Sequence, residues 1–420
     1  MSYKYTEMWK KLNINLEAHD QLIGILSEGY QTNFLSQSNR PEGMKYFDFV
    51  VSEIHGLRIQ ELVEARKEGK KIIGSFCVYV PEEIILALDA ISIGLCSGAE
   101  LAFEEAEKYV PRNTCALIKS AIGFNLAKVC PYIEVSDLVV GENTCDGKKK
   151  AYESIKDLVN DFHLMDLPQT KNSDSMKFFK TEIRRFIAKL EELTGKKLTF
   201  EKLQAAIKKV NKKRQAVARL NILRRNPNCP ISGLDALLIN QIYFNDDIDR
   251  FTGKVNELCD ELEKKLETKQ SGKRILVSGC PMAIPNWKLP AIVEQNGGHI
   301  IGEELCTGER GSFHLTAEDA DTLEAQIDQI AERYMKIECA VFTPNEDRLE
   351  RIKEMAKIYK ADGVLLYNLQ FCQPYQHESI SIEKELENLN IPVLNIDTDY
   401  SMEDSGQLST RIEAFIERLS

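Results

Sequence analysis

The chain has 420 residues, 43% of them hydrophobic, and a formal net charge of −11. That length exceeds one ordinary core, so two or three domains are expected. The acidic balance argues against nucleic acid and anionic membranes, which need basic patches. No stretch approaches the roughly 20 consecutive apolar residues of a membrane helix, and the mixed, charged N-terminus carries no targeting pattern, so a cytoplasmic location is expected.

Residues 1–70 read as helical, and Leu57–Glu68 has helical spacing closed by Gly69. Lys71–Cys77 reads as a short strand ending at a cysteine. Pro81 then opens a helix with Glu82 and Glu83 beside its positive end. Ala90–Cys96 is a second strand ending at a cysteine. A loop carries Cys115, and the strand Ser136–Gly141 leads to Cys145. This alternation predicts a parallel, doubly wound sheet. Residues 151–271 are dominated by Lys, Glu, Gln and Leu and read as a helical connecting region without a strand. Its Lys208, Lys209, Lys212, Lys213 and Arg214 read as a solvated helix face. From residue 272 the alternation returns. Arg274–Cys280, His299–Cys306 and Asp362–Cys372 are strands ending at cysteines, Cys339 precedes a helix, and Ile391–Ile396 is a further strand. The fold class expected is α/β, with two similar doubly wound domains (1–150 and 272–420) facing across a cleft.

Eleven cysteines is a high count for a reducing compartment, and the odd total weighs against a disulfide scaffold. No two form CxxC, which disfavours zinc ribbons and thioredoxin-type motifs. A lone free cysteine usually reads as a small buried hydrophobe. The layout changes that reading, because the two halves repeat. Lys71–Cys77 answers Arg274–Cys280, Cys96 answers Cys306, Cys115 answers Cys339, and Cys145 answers Cys372. Thiols at strand ends sit where open α/β sheets place their chemistry. Widely spaced single thiolates favour an iron–sulfur cluster shared between the halves, with zinc as the runner-up metal. Cys229 and Cys259 read as structural, and Cys130 as ambiguous. There is no GxxxxGK[ST] and no GxGxxG after a strand, so no bound ATP or dinucleotide is indicated.

At Phe76–Ile84, Cys115–Ser120, Asp137–Lys150, Leu305–Arg310 and Asp397–Arg411 the chain resembles the 2-hydroxyacyl-CoA dehydratase (D-component) superfamily, and within it the double-cubane cluster proteins. The resemblance covers nearly the whole chain from about residue 50. It implies three cubane ligands at Cys115, Cys145 and Cys372. The surplus cysteines imply a second cubane, for which Cys280, Cys306 and Cys339 are favoured because the repeat puts them on the facing domain. Cys77 and Cys96 stand in reserve. The implied cofactor is a double-cubane [8Fe–9S] cluster, the alternative a single [4Fe–4S] cluster. The implied activity is ATP-dependent, low-potential reduction of a small-molecule substrate. The implied partners are a separate ATP-hydrolysing iron–sulfur activator and a second copy in a homodimer. A 2-hydroxyacyl-CoA dehydratase or acyl-CoA reductase subunit, and a non-catalytic electron-transfer or cluster-carrier protein, are the competing readings.

Polar candidates around the cleft for proton delivery or substrate positioning are His377, Lys119 and Glu303, followed by Glu304, Arg310 and Tyr375. His377 follows Cys372 by five residues; it reads equally well as a surface loop residue. Lys148, Lys149 and Lys150 either offset cluster charge or form an exposed helix start.

Overall fold

The apolar runs that precede the cysteine loops become strands. They are β1 (Ile72–Ser75), β2 (Ile91–Gly94), β3 (Leu138–Glu142), β4 (Phe162–Met165), β5 (Lys273–Gly279), β6 (Gly298–Glu304), β7 (Gly363–Leu369) and β8 (Val393–Thr398). The computed structural model describes residues 3–95, 97–266 and 272–419. Cys96 lies outside the described residues. All strand pairs are parallel, in two sheets of matching order, β2-β1-β3-β4 and β6-β5-β7-β8. The halves anticipated from the cysteine layout therefore share one topology.

Both sheets are covered on both faces, as parallel sheets require. Alternate residues of one strand enter different cores. Ile72 and Val139 face the large central core, while Ile73, Leu138 and Val140 face a second core. Ile275, Val277 and Leu365 join that central core from the other sheet, and Leu276, Val364 and Leu366 face a third. The two halves thus bury apolar surface in common, which fixes their strand ends relative to one another.

The helical expectation for the first 70 residues holds, with helices Leu16–Tyr30, Met44–Ser52 and Leu57–Lys67. Two expectations for residues 151–271 do not. The region contributes β4, a short edge strand paired with β3 and only partly buried. Four residues with one fully buried position carry too little periodicity to stand out. The basic helix face is also not solvated throughout. Lys213 and Arg214 are buried, because helix Phe200–Arg224 lies against helices of both halves, Glu82–Ala87 and Leu323–Met335. Lys213 Nζ meets Glu82 at 2.9 Å, and Arg214 Nη1 meets Glu83 at 2.6 Å. Helical periodicity identifies a polar stripe but not the carboxylates waiting opposite it.

Candidate metal centre

In each sheet the chain leaves the first strand, adds a strand on one side, and returns on the other. The switch points lie between β1 and β3 and between β5 and β7, where α/β sheets open a crevice at the carboxyl ends of the strands. A cavity of about 970 Å³ occupies this position, lined by the segments leaving β1, β2, β3, β5, β6 and β7. Cys77, Cys115, Cys145, Cys280, Cys306, Cys339 and Cys372 all line it. Cys115, Cys280 and Cys339 are buried; Cys77, Cys145, Cys306 and Cys372 are half-buried.

Local backbone chemistry aims these thiols. Cys115, Cys145 and Cys372 are each the N-cap residue of a helix, Ala116–Leu126, Asp146–Ile155 and Gln373–Asn388. An N-cap position presents a sulfur to unpaired backbone N–H groups and to the positive end of the helix dipole. Lys148 N–H donates to Cys145 Sγ at 3.5 Å, and the N–H groups of Leu117 and Ile118 serve Cys115. Cys280 is set by the glycine before it. Gly279 has φ +147°, and a Cβ there would collide with the Tyr367 carbonyl oxygen on β7. That oxygen accepts the Cys280 N–H at 2.9 Å, and Cys280 Sγ in turn accepts Leu369 N–H at 3.4 Å. Phe371, just before Cys372, is held at φ +67°, at a cost of about 1–2 kcal/mol for a residue with a Cβ. The halves also touch directly beside the cavity: Gly98 N–H donates to the Ile284 carbonyl at 3.0 Å.

The thiols fall into two groups. Cys115, Cys280 and Cys145 all lie close enough to Cys372 to act on its thiol. Cys77, Cys306 and Cys339 act on one another electrostatically and form the other group. Each group combines residues from both halves. The layout placed Cys280 with Cys306 and Cys339. The fold instead sets Cys280 beside Cys372, because β5 and β7 are adjacent strands, and brings Cys77 to Cys306 and Cys339. Cys130 lines the same cavity but packs with Phe124 and Val129. Cys229 and Cys259 are buried in the central core, as expected of structural residues.

Contact with Cys372 and burial push the Cys115 thiol well up, and burial pushes up Cys77, Cys145 and Cys339. In the absence of a metal these groups are protonated, so loading would displace protons. An all-thiol lining suits soft iron or zinc chemistry. Among the described residues, no three His, Cys, Asp or Glu side chains converge tightly enough to hold a single ion; the thiols instead surround a space far larger than one ion needs.

The polar candidates divide. None of His377, Lys119 and Glu303 lines the cavity. His377 is exposed on helix Gln373–Asn388. Lys119 is buried against Phe103 and pairs with Glu107 at 3.3 Å. Glu303 is neutralised by Arg224 at 2.5 Å. Glu303 and Glu304 are successive residues of β6 past the bulge at Ile301, so they point to opposite faces, and neither lines the cavity. Tyr375 does line the cavity, and Arg310 reaches Cys306 Sγ at 3.5 Å. Lys148 also lines it, paired with the fully buried Glu142 and bonded to the Phe76 carbonyl. Lys149 and Lys150 are exposed. The Glu142–Lys148 pair was not legible in the sequence; its one signal is an acid closing an otherwise apolar strand.

Residues 77–419 match the family described as 2-hydroxyglutaryl-CoA dehydratase, D-component. Among curated relatives, a protein of Escherichia coli (strain K12) named YjiM, described as a candidate dehydratase subunit, is 36% identical over 85% of this chain and 94% of its own length. The (R)-phenyllactyl-CoA dehydratase beta subunit of Clostridium sporogenes is 29% identical over 84% of this chain and 92% of its own. A benzoyl-CoA reductase subunit of Thauera aromatica is 21% identical over 81% and 88%.

Proposed function

The chain belongs to the 2-hydroxyglutaryl-CoA dehydratase D-component family, and from that premise we propose that it is an iron–sulfur enzyme, a low-potential reductase of small molecules. Its relatives are named as dehydratase and reductase subunits, which supports an enzyme that works with other chains. The observation that carries the reading is the number and grouping of the thiols: with Cys130 set aside, seven line one cavity, more than a single cubane with three cysteine ligands uses. Cys115, Cys145 and Cys372 would hold one cubane. Cys77, Cys306 and Cys339 would hold the other, with Cys280 between the groups, a revision of the set drawn from the repeat. When bound, a double-cubane [8Fe–9S] cluster supplies electrons at low potential for substrate reduction.

The chain's own residues have definable tasks. The helix N-termini at Cys115, Cys145 and Cys372 offset part of the burial that keeps these groups as thiols, which would ease their deprotonation on loading. The central core holds the halves in register, so thiols from both meet one space. Tyr375 and Lys148 are the polar side chains best placed to meet a substrate in the cavity. Electrons would come from a separate ATP-hydrolysing iron–sulfur activator, consistent with the absence of a P-loop sequence here, and a homodimer is proposed as the assembly. Among the described residues no helix is long and apolar enough to cross a membrane.

Anaerobic purification followed by iron and sulfide analysis tests this: about eight irons per chain are expected for two cubanes, and about four would overturn the double-cubane assignment. Four irons, together with acyl-CoA binding or co-purification with a non-identical related chain, would favour the second reading. That reading is a 2-hydroxyacyl-CoA dehydratase or acyl-CoA reductase subunit with one [4Fe–4S] cluster, and the named relatives favour it.

A further inference from the structure

Arg310 is among the largest side chains buried almost completely, and its guanidinium is held on every side. Nε donates to Glu304 Oε1 at 2.6 Å, and Nη2 to the carbonyl oxygens of Glu304 at 2.9 Å and Gly279 at 3.2 Å. Nη1 faces the Tyr375 hydroxyl and, at 3.5 Å, Cys306 Sγ. The Tyr375 hydroxyl stands 3.9 Å from Cys339 Sγ. Glu304 is shared with a second enclosed cation, Arg348, at 3.2 Å, whose other partner, Glu378, is only partly buried. Arg310 and Arg348 are thus balanced by Glu304 and Glu378, and the member of this neutral group that touches the thiol cluster is the Arg310 cation, set against Cys306 Sγ and the Tyr375 hydroxyl. Around Cys77 the Glu142–Lys148 pair adds no net charge. Cys115, Cys145 and Cys372 stand at helix ends that carry fractional positive charge, and Cys145 Sγ also accepts the Lys148 N–H.

We propose that Arg310, clamped by Glu304 and joined to Cys339 through Tyr375, sets the reduction potential of the Cys77–Cys306–Cys339 half of the centre and makes it the half where an arriving electron settles. This rests on the cluster reading above. Reduction adds one electron, supplied by the ATP-hydrolysing donor, and one negative charge; no bond forms or breaks. Arginine stays cationic at every relevant pH, so the compensating charge is in place beforehand and no proton need be taken up. Charge and hydrogen bonds directed at cluster sulfurs raise the potential, and a dry surrounding strengthens both effects. Arg310 is in this sense a positioning residue for charge, not a group that touches substrate.

The test is a redox titration of the anaerobic, iron-loaded protein followed by low-temperature EPR, with R310M, R310K and Y375F compared at equal iron and sulfide content. R310M is expected to shift one midpoint to more negative potential by about 59 mV or more, a tenfold loss in the equilibrium constant for a one-electron couple. R310K is expected to recover part of the shift, and Y375F, which leaves the ion pairs intact, to show a smaller shift in the same direction. Wild-type midpoints in fully loaded R310M and Y375F would overturn the inference alone. Loss of iron from Y375F as well as R310M would assign the pair to holding the centre and equally overturn it. Wild-type protein without iron and sulfide would overturn the cluster reading and this inference with it.

Discussion

Replacing Arg214 with Met removes the cation from an enclosed ion pair that joins the helical connecting region to the N-terminal half. Glu83 receives Arg214 Nη1 at 2.6 Å, the Thr316 hydroxyl at 2.8 Å and the Tyr334 hydroxyl at 2.7 Å, and it is fully buried. Burial alone would raise its pKa; the guanidinium groups of Arg214 and Arg333 outweigh that and hold it at about 2, against an ordinary 4.5. A folded pKa below the unfolded one gives stability that is complete above 4.5 and lost as pH falls toward 2. A difference of that size amounts to about 3 kcal/mol at neutral pH. Stranding a buried carboxylate typically costs about 3–5 kcal/mol, and the surviving Arg333 places R214M near the lower figure. Because the variant has lost the pH-dependent part, its deficit should narrow by about 1 kcal/mol by pH 4 and about 2 kcal/mol by pH 3. Urea unfolding of both proteins from pH 7 to pH 3, followed by circular dichroism, measures this. A deficit below about 1 kcal/mol at pH 7, or one unchanged by acid, would refute the reasoning. The second outcome would mean that Glu83 is not held ionised by Arg214.

Gly279→Ala should destabilise the protein by about 3 kcal/mol or more, since the added Cβ meets the Tyr367 carbonyl at a φ that side chains avoid; thermal unfolding would show it, and iron content should fall because Cys280 is displaced. Cys77→Ser should lower iron per chain while Cys130→Ser leaves it at the wild-type value; equal iron in both variants would remove Cys77 from the ligand set. His377→Ala should change neither iron content nor turnover, as the side chain is exposed and outside the cavity; a loss of more than about tenfold in turnover would restore it to proton delivery. Iron loading should release protons, because the thiols of Cys77, Cys115, Cys145, Cys339 and Cys372 are held above their ordinary range; reconstitution in weak buffer with a pH indicator would read the release, and loading without it would contradict that assignment.

The elements and their repetition follow from local patterns along the chain. Apolar runs of strand length followed by cysteines, and amphipathic stretches between them, are local patterns, and they marked seven of the eight strands and the seven thiols grouped in the cavity. Strand order, and hence which thiols meet, depends on pairing between distant segments, which no local period records. Cys77 lies far from Cys306 and Cys339 along the chain, yet the folded halves bring them together; Cys280 follows β5 to the neighbour of β7 and therefore to Cys372. The same holds for charge. A basic run reads as solvated until the opposing surface is known, and helix Glu82–Ala87 supplies the carboxylates that bury Lys213 and Arg214. Glu303 and Arg310 stand only seven residues apart, but β6 directs Glu303 to Arg224, and the helical turn after the strand delivers Arg310 to Cys306. Local patterning chose where the thiols stand; tertiary packing decided which of them share a neighbourhood and which charges surround it, because both are properties of surfaces that meet only after the chain has folded.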